Sequence, residues 1–144
     1  MKEKEDDNLK ESQLWRYINL IQKTEKTWHL IRIESNTING IPDVHCCCNG
    51  VSFFLELKAN NDKNYGLSKY KIIWQLDYMK SGGKVFNLVF ALSQRELKLV
   101  RLVPDLFWFR SDSVPHKDRY EVLATKKYNQ DNLRKIIKLV SDSF

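Results

Sequence analysis

A predicted β-hairpin brings two acidic residues and a lysine close together. Asn49-Gly50 stands between two runs of strand-forming residues, and this dipeptide favours a type I′ turn because both central residues of that turn need a positive φ. With these two residues as the loop, Asp43 is predicted to lie directly opposite Glu56. Side chains alternate between faces along a strand, so Lys58 points to the same side as Glu56.

The predicted register gives the hairpin one apolar face and one mixed face. The cross-strand pairs are Cys48 with Val51, Cys47 with Ser52, Cys46 with Phe53, His45 with Phe54 and Val44 with Leu55. One face is wholly apolar and is expected to pack on the core; it carries Val44, Cys46, Cys48, Val51, Phe53, Leu55 and Leu57. The other face carries Asp43, His45, Cys47, Ser52, Phe54, Glu56 and Lys58.

The opposed acids predict a site for a divalent cation. Like charges directly opposite on a sheet repel unless something positive lies between them. Carboxylate and carbonyl oxygens suit Mg²⁺ or Mn²⁺, and the predicted ligands are Asp43, Glu56 and the carbonyl of Leu57. Lys58 would orient or deprotonate an attacking water and counter the charge that develops on a phosphate. The alternative is a surface hairpin whose acids point into water.

These residues resemble the PD-(D/E)xK nuclease superfamily, with Pro42-Asp43 as the first half of the motif and Glu56-Leu57-Lys58 as the second. A longer string is most similar to the small virus-type replication-repair nucleases, which are related to Holliday-junction resolvases. It consists of Gly40-Ile41-Pro42-Asp43, then Phe53 to Ala59, then Leu67-Ser68 opening a helix that closes with Gly82-Gly83. The resemblance covers about residues 11 to 100.

The resemblance implies a fold, a reaction and a substrate. The fold is an α/β domain with a restriction-endonuclease-like mixed sheet flanked by helices. The reaction is Mg²⁺-dependent (or Mn²⁺-dependent) hydrolysis of phosphodiester bonds in DNA, and the expected substrate is branched DNA, such as a four-way junction. Symmetric cleavage of a junction needs two sites, so a homodimer is expected, with the aromatic helix or Phe107-Trp108-Phe109 as its interface.

Further site residues follow from the same resemblance. Nucleases of this superfamily commonly supply another acid from the first helix, and Glu11 is the candidate, both catalytic and as a metal ligand. The alternative is a glutamate favoured by the dipole at the start of a helix. The family often has a glutamine three residues before the helix tryptophan, whereas Lys71 precedes Trp74 here. Lys71 can still reach phosphate or water, and Gln75, one turn further on, can stand in for the glutamine.

The charge of the chain favours a polyanionic partner. The 144 residues include 24 Lys and Arg against 18 Asp and Glu, for a net charge of +6, which suits DNA but also a nonspecific membrane or solubility role. Lys63, Lys69 and Lys71 are the predicted DNA contacts, although Lys63 also fits a solvated loop. The apolar runs are too short to span a bilayer and the charged start is not a signal peptide. The expected location is cytoplasmic, in the host if the protein is viral.

The apolar patterns predict the elements that position these residues. A single domain is expected over residues 9–144, with a charged, flexible segment at 1–8 and a C-terminal extension from about 104. The predicted helices are Leu9 to Gln22, Ser68 to Ser81 and Asp131 to Val140; the strands outside the hairpin are Trp28 to Glu34, Val85 to Leu92 and Glu96 to Leu102. Tyr70, Trp74 and Tyr78 form an aromatic stripe that can stack bases or belong to the core or an interface.

Three other functions stay open from the sequence. The superfamily's chemistry does not depend on the sugar, so an RNA-directed nuclease is an alternative. A catalytically silent nucleic-acid-binding module is a second, and it would show a steep salt dependence of binding. A module that organises a larger complex without nucleic acid is the third.

Overall fold

The computed structural model describes residues 2–35, 37–62, 65–104 and 119–144. These residues form a six-stranded mixed sheet and three helices, which confirms the predicted mixed α/β class. The elements in chain order are α1 (Lys2–Gln22), β1 (Trp28–Arg32), β2 (Val44–Cys48), β3 (Val51–Asn60), α2 (Lys69–Lys80), β4 (Val85–Ala91), β5 (Glu96–Leu102), β6 (Tyr120–Lys127) and α3 (Gln130–Ser143).

The strands lie in the sheet in the order in which they occur along the chain. Strands β3 and β4 are parallel, and every other neighbouring pair is antiparallel. A parallel pair needs a crossover connection, and α2 provides it. This arrangement is consistent with a restriction-endonuclease-like layout.

Helices cover both faces of the sheet. On one face, α1 and α3 pack against the alternate apolar residues of β2, β3, β4 and β5 in one continuous core. On the other face, α2 packs against a smaller cluster that includes Val89, Val100 and Leu102. Strand β4 is buried along almost its whole length because helices lie on both of its sides. No described helix is long and apolar enough to cross a membrane.

A polar pair fixes α2 on the central strand. Gln75 and Asn87 are fully buried and exchange two hydrogen bonds, of 2.8 and 2.9 Å, and Asn87 also donates to the Val100 carbonyl at 3.3 Å. Buried amides without partners would cost about 1–3 kcal/mol each, so this mutual pairing specifies where the helix lies. Gln75 is therefore engaged with Asn87, and the expectation that it stands in for the family's glutamine is wrong.

The element boundaries differ from the predictions at several places. Helix α1 begins at Lys2 rather than at about Leu9, and β1 ends at Arg32. Part of the predicted C-terminal extension is β6, the last strand of the sheet. Lys63 and the segment Phe107-Trp108-Phe109 lie outside the described residues.

Candidate metal and catalytic site

The hairpin has the predicted register. All five predicted pairs between β2 and β3 are present, from Cys48 with Val51 to Val44 with Leu55. Asn49 and Gly50 have φ values of 53° and 83°, as a turn of the I′ type requires. The side chains of Glu56 and Lys58 accordingly lie on the face opposite to the apolar residues.

The pairing of β2 with β3 ends at Val44 and Leu55, one residue before Asp43 and Glu56. Pro42 explains why it ends there. Hydrogen-bonded and non-hydrogen-bonded pairs alternate along an antiparallel ladder, so continuing the register would place Pro42 opposite Leu57 in a hydrogen-bonded pair. Proline has no N–H to donate. The prediction that Asp43 pairs with Glu56 in the strands is therefore wrong, since β2 begins only at Val44.

Asp43 instead binds the edge of β3 through its side chain. Its Oδ2 accepts a hydrogen bond of 2.9 Å from the Leu57 N–H, which in a continued ladder would donate to the Pro42 carbonyl instead, while its own carbonyl accepts from the Ile33 N–H at 2.7 Å. In a strand the N–H and C=O of one residue point to the same side. The Leu57 carbonyl therefore faces the same gap beside Asp43.

Glu56 is the buried acid of the site. Its side chain is 1% exposed, and the Lys71 ammonium from α2 contacts Oε2. Burial, above all, raises the pKa of Glu56 to about 9, and the adjacent Asp43 carboxyl, which can share a proton with it, adds to this rise while Lys71 opposes it. Burial of a carboxylate favours its neutral form, so Glu56 carries a proton at neutral pH unless a cation replaces it.

Two further charged residues lie near the two acids: Glu11 on α1 and Lys58 on β3. Burial raises the pKa of Glu11, the attraction of Lys58 lowers it, and repulsion from Asp43 raises it further; the backbone N–H of Ala59 favours the ionised form. The middle of α1, and not its first turn, thus brings Glu11 close to the other site residues. The structure places it beside Lys58 and does not group it with Asp43 and Glu56 as a third ligand.

Gly40 sets the path of the chain into the site. It has a φ of +84°, and a Cβ at this position would lie 2.3 Å from the Tyr70 carbonyl oxygen in the first turn of α2. Only a residue without a side chain allows this approach of loop and helix. The contact holds the segment that carries Pro42-Asp43 against the turn that carries Lys71.

Of the two lysines in the first turn of α2, Lys71 contacts the buried acid and Lys69 is exposed. Lys71 contacts Glu56 Oε2, and its expected contact with phosphate or water stays a prediction. Lys69 lies exposed at the start of α2, which Ser68 caps by accepting from the Lys71 N–H at 3.3 Å. Sequence reasoning missed Asn87 and the role of Pro42; a single polar residue inside the apolar run of β4 was the sign that pointed to the first.

The donor set fits a hard divalent cation. Among the described residues, the Lys71 ammonium at Oε2 is the only close polar contact of the two buried oxygens of Glu56 besides the adjacent Asp43 carboxyl. No three His, Cys, Asp or Glu side chains among the described residues form a group that could hold a metal ion. Mg²⁺ commonly takes one or two carboxylates and completes its shell with water and phosphate. Asp43, Glu56 and the Leu57 carbonyl would hold it.

No family model matches the chain, and no curated protein matches it. The resemblance to the PD-(D/E)xK superfamily therefore stays a prediction that rests on the residues themselves.

The buried carboxyl makes the stability of the protein depend on pH. An unfolded glutamate has a pKa near 4.5 and folded Glu56 one of about 9, so the folded protein binds the extra proton between these values. Its free energy of unfolding should therefore fall as pH rises from about 5 to 9, by up to about 1.4 kcal/mol per pH unit from this group. Glu56→Gln, which mimics the neutral acid, should flatten this slope in urea unfolding at pH 6, 7 and 8.

The exposed Glu34 provides the matched control. Glu34→Gln removes the same charge and should keep the wild-type slope. An equal slope in wild type and Glu56→Gln would contradict the assignment of a neutral buried carboxyl.

Proposed function

We propose that the protein is a divalent-metal-dependent nuclease that hydrolyses phosphodiester bonds in DNA, with branched or junction DNA as its expected substrate. The observation that carries the proposal is the side-by-side arrangement of the Asp43 and Glu56 carboxyls at the open end of the hairpin, with Lys58 and Lys71 around them. Two acids that compete for one proton in a buried position are costly to stability. A site that binds a cation offsets that cost.

Mg²⁺ bound here would polarise a phosphate oxygen and lower the pKa of a water molecule. The Leu57 N–H holds Asp43 Oδ2 and so fixes the carboxyl next to Glu56. Glu56 must release its proton before it can act as a ligand, so affinity for the metal should rise with pH.

The two lysines have separate roles. Lys58, which is half-buried and attracted to Glu11, is positioned to orient the attacking water and to stabilise negative charge on the phosphate in the transition state. Lys71 contacts Glu56 Oε2 when no metal is bound, and it would contact a phosphate oxygen when Glu56 binds a cation. Glu11 positions the Lys58 ammonium by charge attraction.

The net charge of +6 supports a polyanionic substrate. The preference for branched DNA is supported by the sequence resemblance alone. Cleavage of labelled single-stranded, linear duplex, flapped and four-way-junction DNA in Mg²⁺, Mn²⁺, Ca²⁺ and EDTA tests both parts. Cutting in Mg²⁺ or Mn²⁺ that EDTA abolishes is expected, with the highest rate on a branched substrate.

Two outcomes would change the proposal. Metal-dependent cutting of every DNA at the same rate would retain the nuclease and remove the branched substrate. Binding of DNA with no cutting in either metal would overturn the nuclease in favour of a silent nucleic-acid-binding module.

A further inference from the structure

Four aromatic rings form a continuous cluster beside the carboxyls, which we call the ring platform: His45, Phe54, Trp74 and Tyr78. The Phe54 ring centroid lies 4.9 Å from that of His45, 5.0 Å from that of Trp74 and 5.2 Å from that of Tyr78. The rings of Trp74 and Tyr78 stack at 4.9 Å with an angle of 26° between their planes. All four side chains are half-buried, so each ring keeps part of its surface in solvent.

The ring platform adjoins the proposed catalytic residues directly. Phe54 is two residues before Glu56 on the same face of β3, and His45 is two residues after Asp43. A strand rises about 3.3 Å per residue, so these positions are about 7 Å apart along the strand. A nucleotide whose phosphate lies at the carboxyls therefore has its base, or that of its neighbour, within reach of the rings.

The face around the rings is open toward the edge of the sheet. Ile31 on β1 lies opposite His45 and is 50% exposed, and His29 beside Cys47 is exposed as well. Along α2, Trp74 and Tyr78 line a shallow depression of about 360 Å³ together with Asp77 and Ser81. Apolar and aromatic surface thus extends from the acids to the outer strand.

A lysine stands at the end of the ring platform that adjoins the carboxyls. Lys71 is three residues before Trp74 and contacts Glu56 Oε2. A cation next to exposed rings suits the phosphate that follows a stacked base in a single strand.

We propose that the ring platform stacks unpaired nucleobases next to the cleaved bond, so that the substrate carries single-stranded nucleotides at the site; this rests on the proposed nuclease function. In a duplex the faces of the bases are hidden in the stack, so rings on a protein surface engage bases that are unpaired. A second copy of the chain seated on the rings would also cover the adjacent carboxyls and exclude a polymeric substrate. Nucleic acid is therefore the occupant that the position favours.

The first test compares two strands with equal numbers of phosphates, a ten-nucleotide oligothymidine and an abasic strand of the same length. Fluorescence anisotropy in Ca²⁺ measures binding without cleavage. Wild type should bind the thymidine strand at least about fivefold more tightly, since stacking of one base contributes about 1–3 kcal/mol. Trp74→Leu should bind both strands equally, whereas Tyr17→Leu should keep the preference. Tyr17 is the matched control because its ring contacts Tyr128 on the other face of the sheet.

A second measurement needs no variant. A 5-iodouracil strand should photocrosslink wild-type protein at the ring platform, as mapped by mass spectrometry. Equal affinity for the two strands, or crosslinks only at other residues, would overturn the proposal, as would a dimer that Trp74→Leu converts to a monomer. Both readouts are of binding, so a protein that discriminates bases without cutting would refute the nuclease and retain the stacking surface.

Discussion

Asp43→Asn should lower the rate of metal-dependent DNA cleavage by about 100- to 1000-fold, because it removes one of two carboxylates that would hold the cation. Stabilisation of transition-state charge by a metal amounts to several kcal/mol, and each 1.4 kcal/mol corresponds to a factor of ten in rate. The amide oxygen of asparagine can still accept the hydrogen bond from the Leu57 N–H. The fold should therefore be intact, with a melting temperature close to that of wild type.

The comparison that makes this result specific is Asp142→Asn. Asp142 is exposed on α3, far along the chain from the site residues, and this variant makes the same change in net charge. It should cleave at the wild-type rate in single-turnover assays. A folded Asp43→Asn protein that cuts within a few fold of wild type would place the catalytic carboxylates elsewhere.

Gly40→Ala should destabilise the protein by about 2–4 kcal/mol and reduce cleavage more than tenfold. Two costs combine at this position. A positive φ is unfavourable for alanine by about 1–2 kcal/mol, and the new Cβ would meet the Tyr70 carbonyl oxygen at 2.3 Å. Backbone atoms cannot rotate away as a flexible side chain does, so either the loop or the start of α2 must move, and either movement separates Asp43 from Lys71.

Gly82→Ala isolates the second of these costs. Gly82 also has a positive φ, of +91°, but a Cβ there would meet nothing within 4 Å. Urea unfolding should show a loss of about 1 kcal/mol for Gly82→Ala, and the difference between the two variants measures the contact with α2. Equal losses in the two variants would show that the contact between Gly40 and Tyr70 contributes nothing.

The hairpin and the cap of α2 were predictable because local chemistry determines them. Asn49-Gly50 fixes the turn and Ser68 caps the helix whatever the rest of the chain does. The end of the ladder at Pro42 was also within reach of the sequence, since a residue without an N–H cannot continue a hydrogen-bonded pair.

The burial of Glu56 and the sixth strand were beyond local reasoning. Glu56 is buried because α2 lies over it. The position of α2 depends in turn on the hydrogen bonds between Gln75 on the helix and Asn87 on β4. Strand β6 lies at the edge of the sheet, where side chains on both faces meet solvent and the apolar alternation is weak. Both outcomes are decided by contacts between residues far apart in the chain.

The side chain and the main chain of Leu57 face different surroundings. Its side chain is buried in the core shared with α1 and α3, while its amide and carbonyl face the gap beside Asp43. Packing in the core therefore determines which residue fits at position 57. The main-chain atoms are the same for every residue except proline, so one apolar residue offers the gap the same amide and carbonyl as another. The ligand that Leu57 would give to a cation is a main-chain carbonyl, so the proposed site would keep it whichever apolar residue the core accepts at this position.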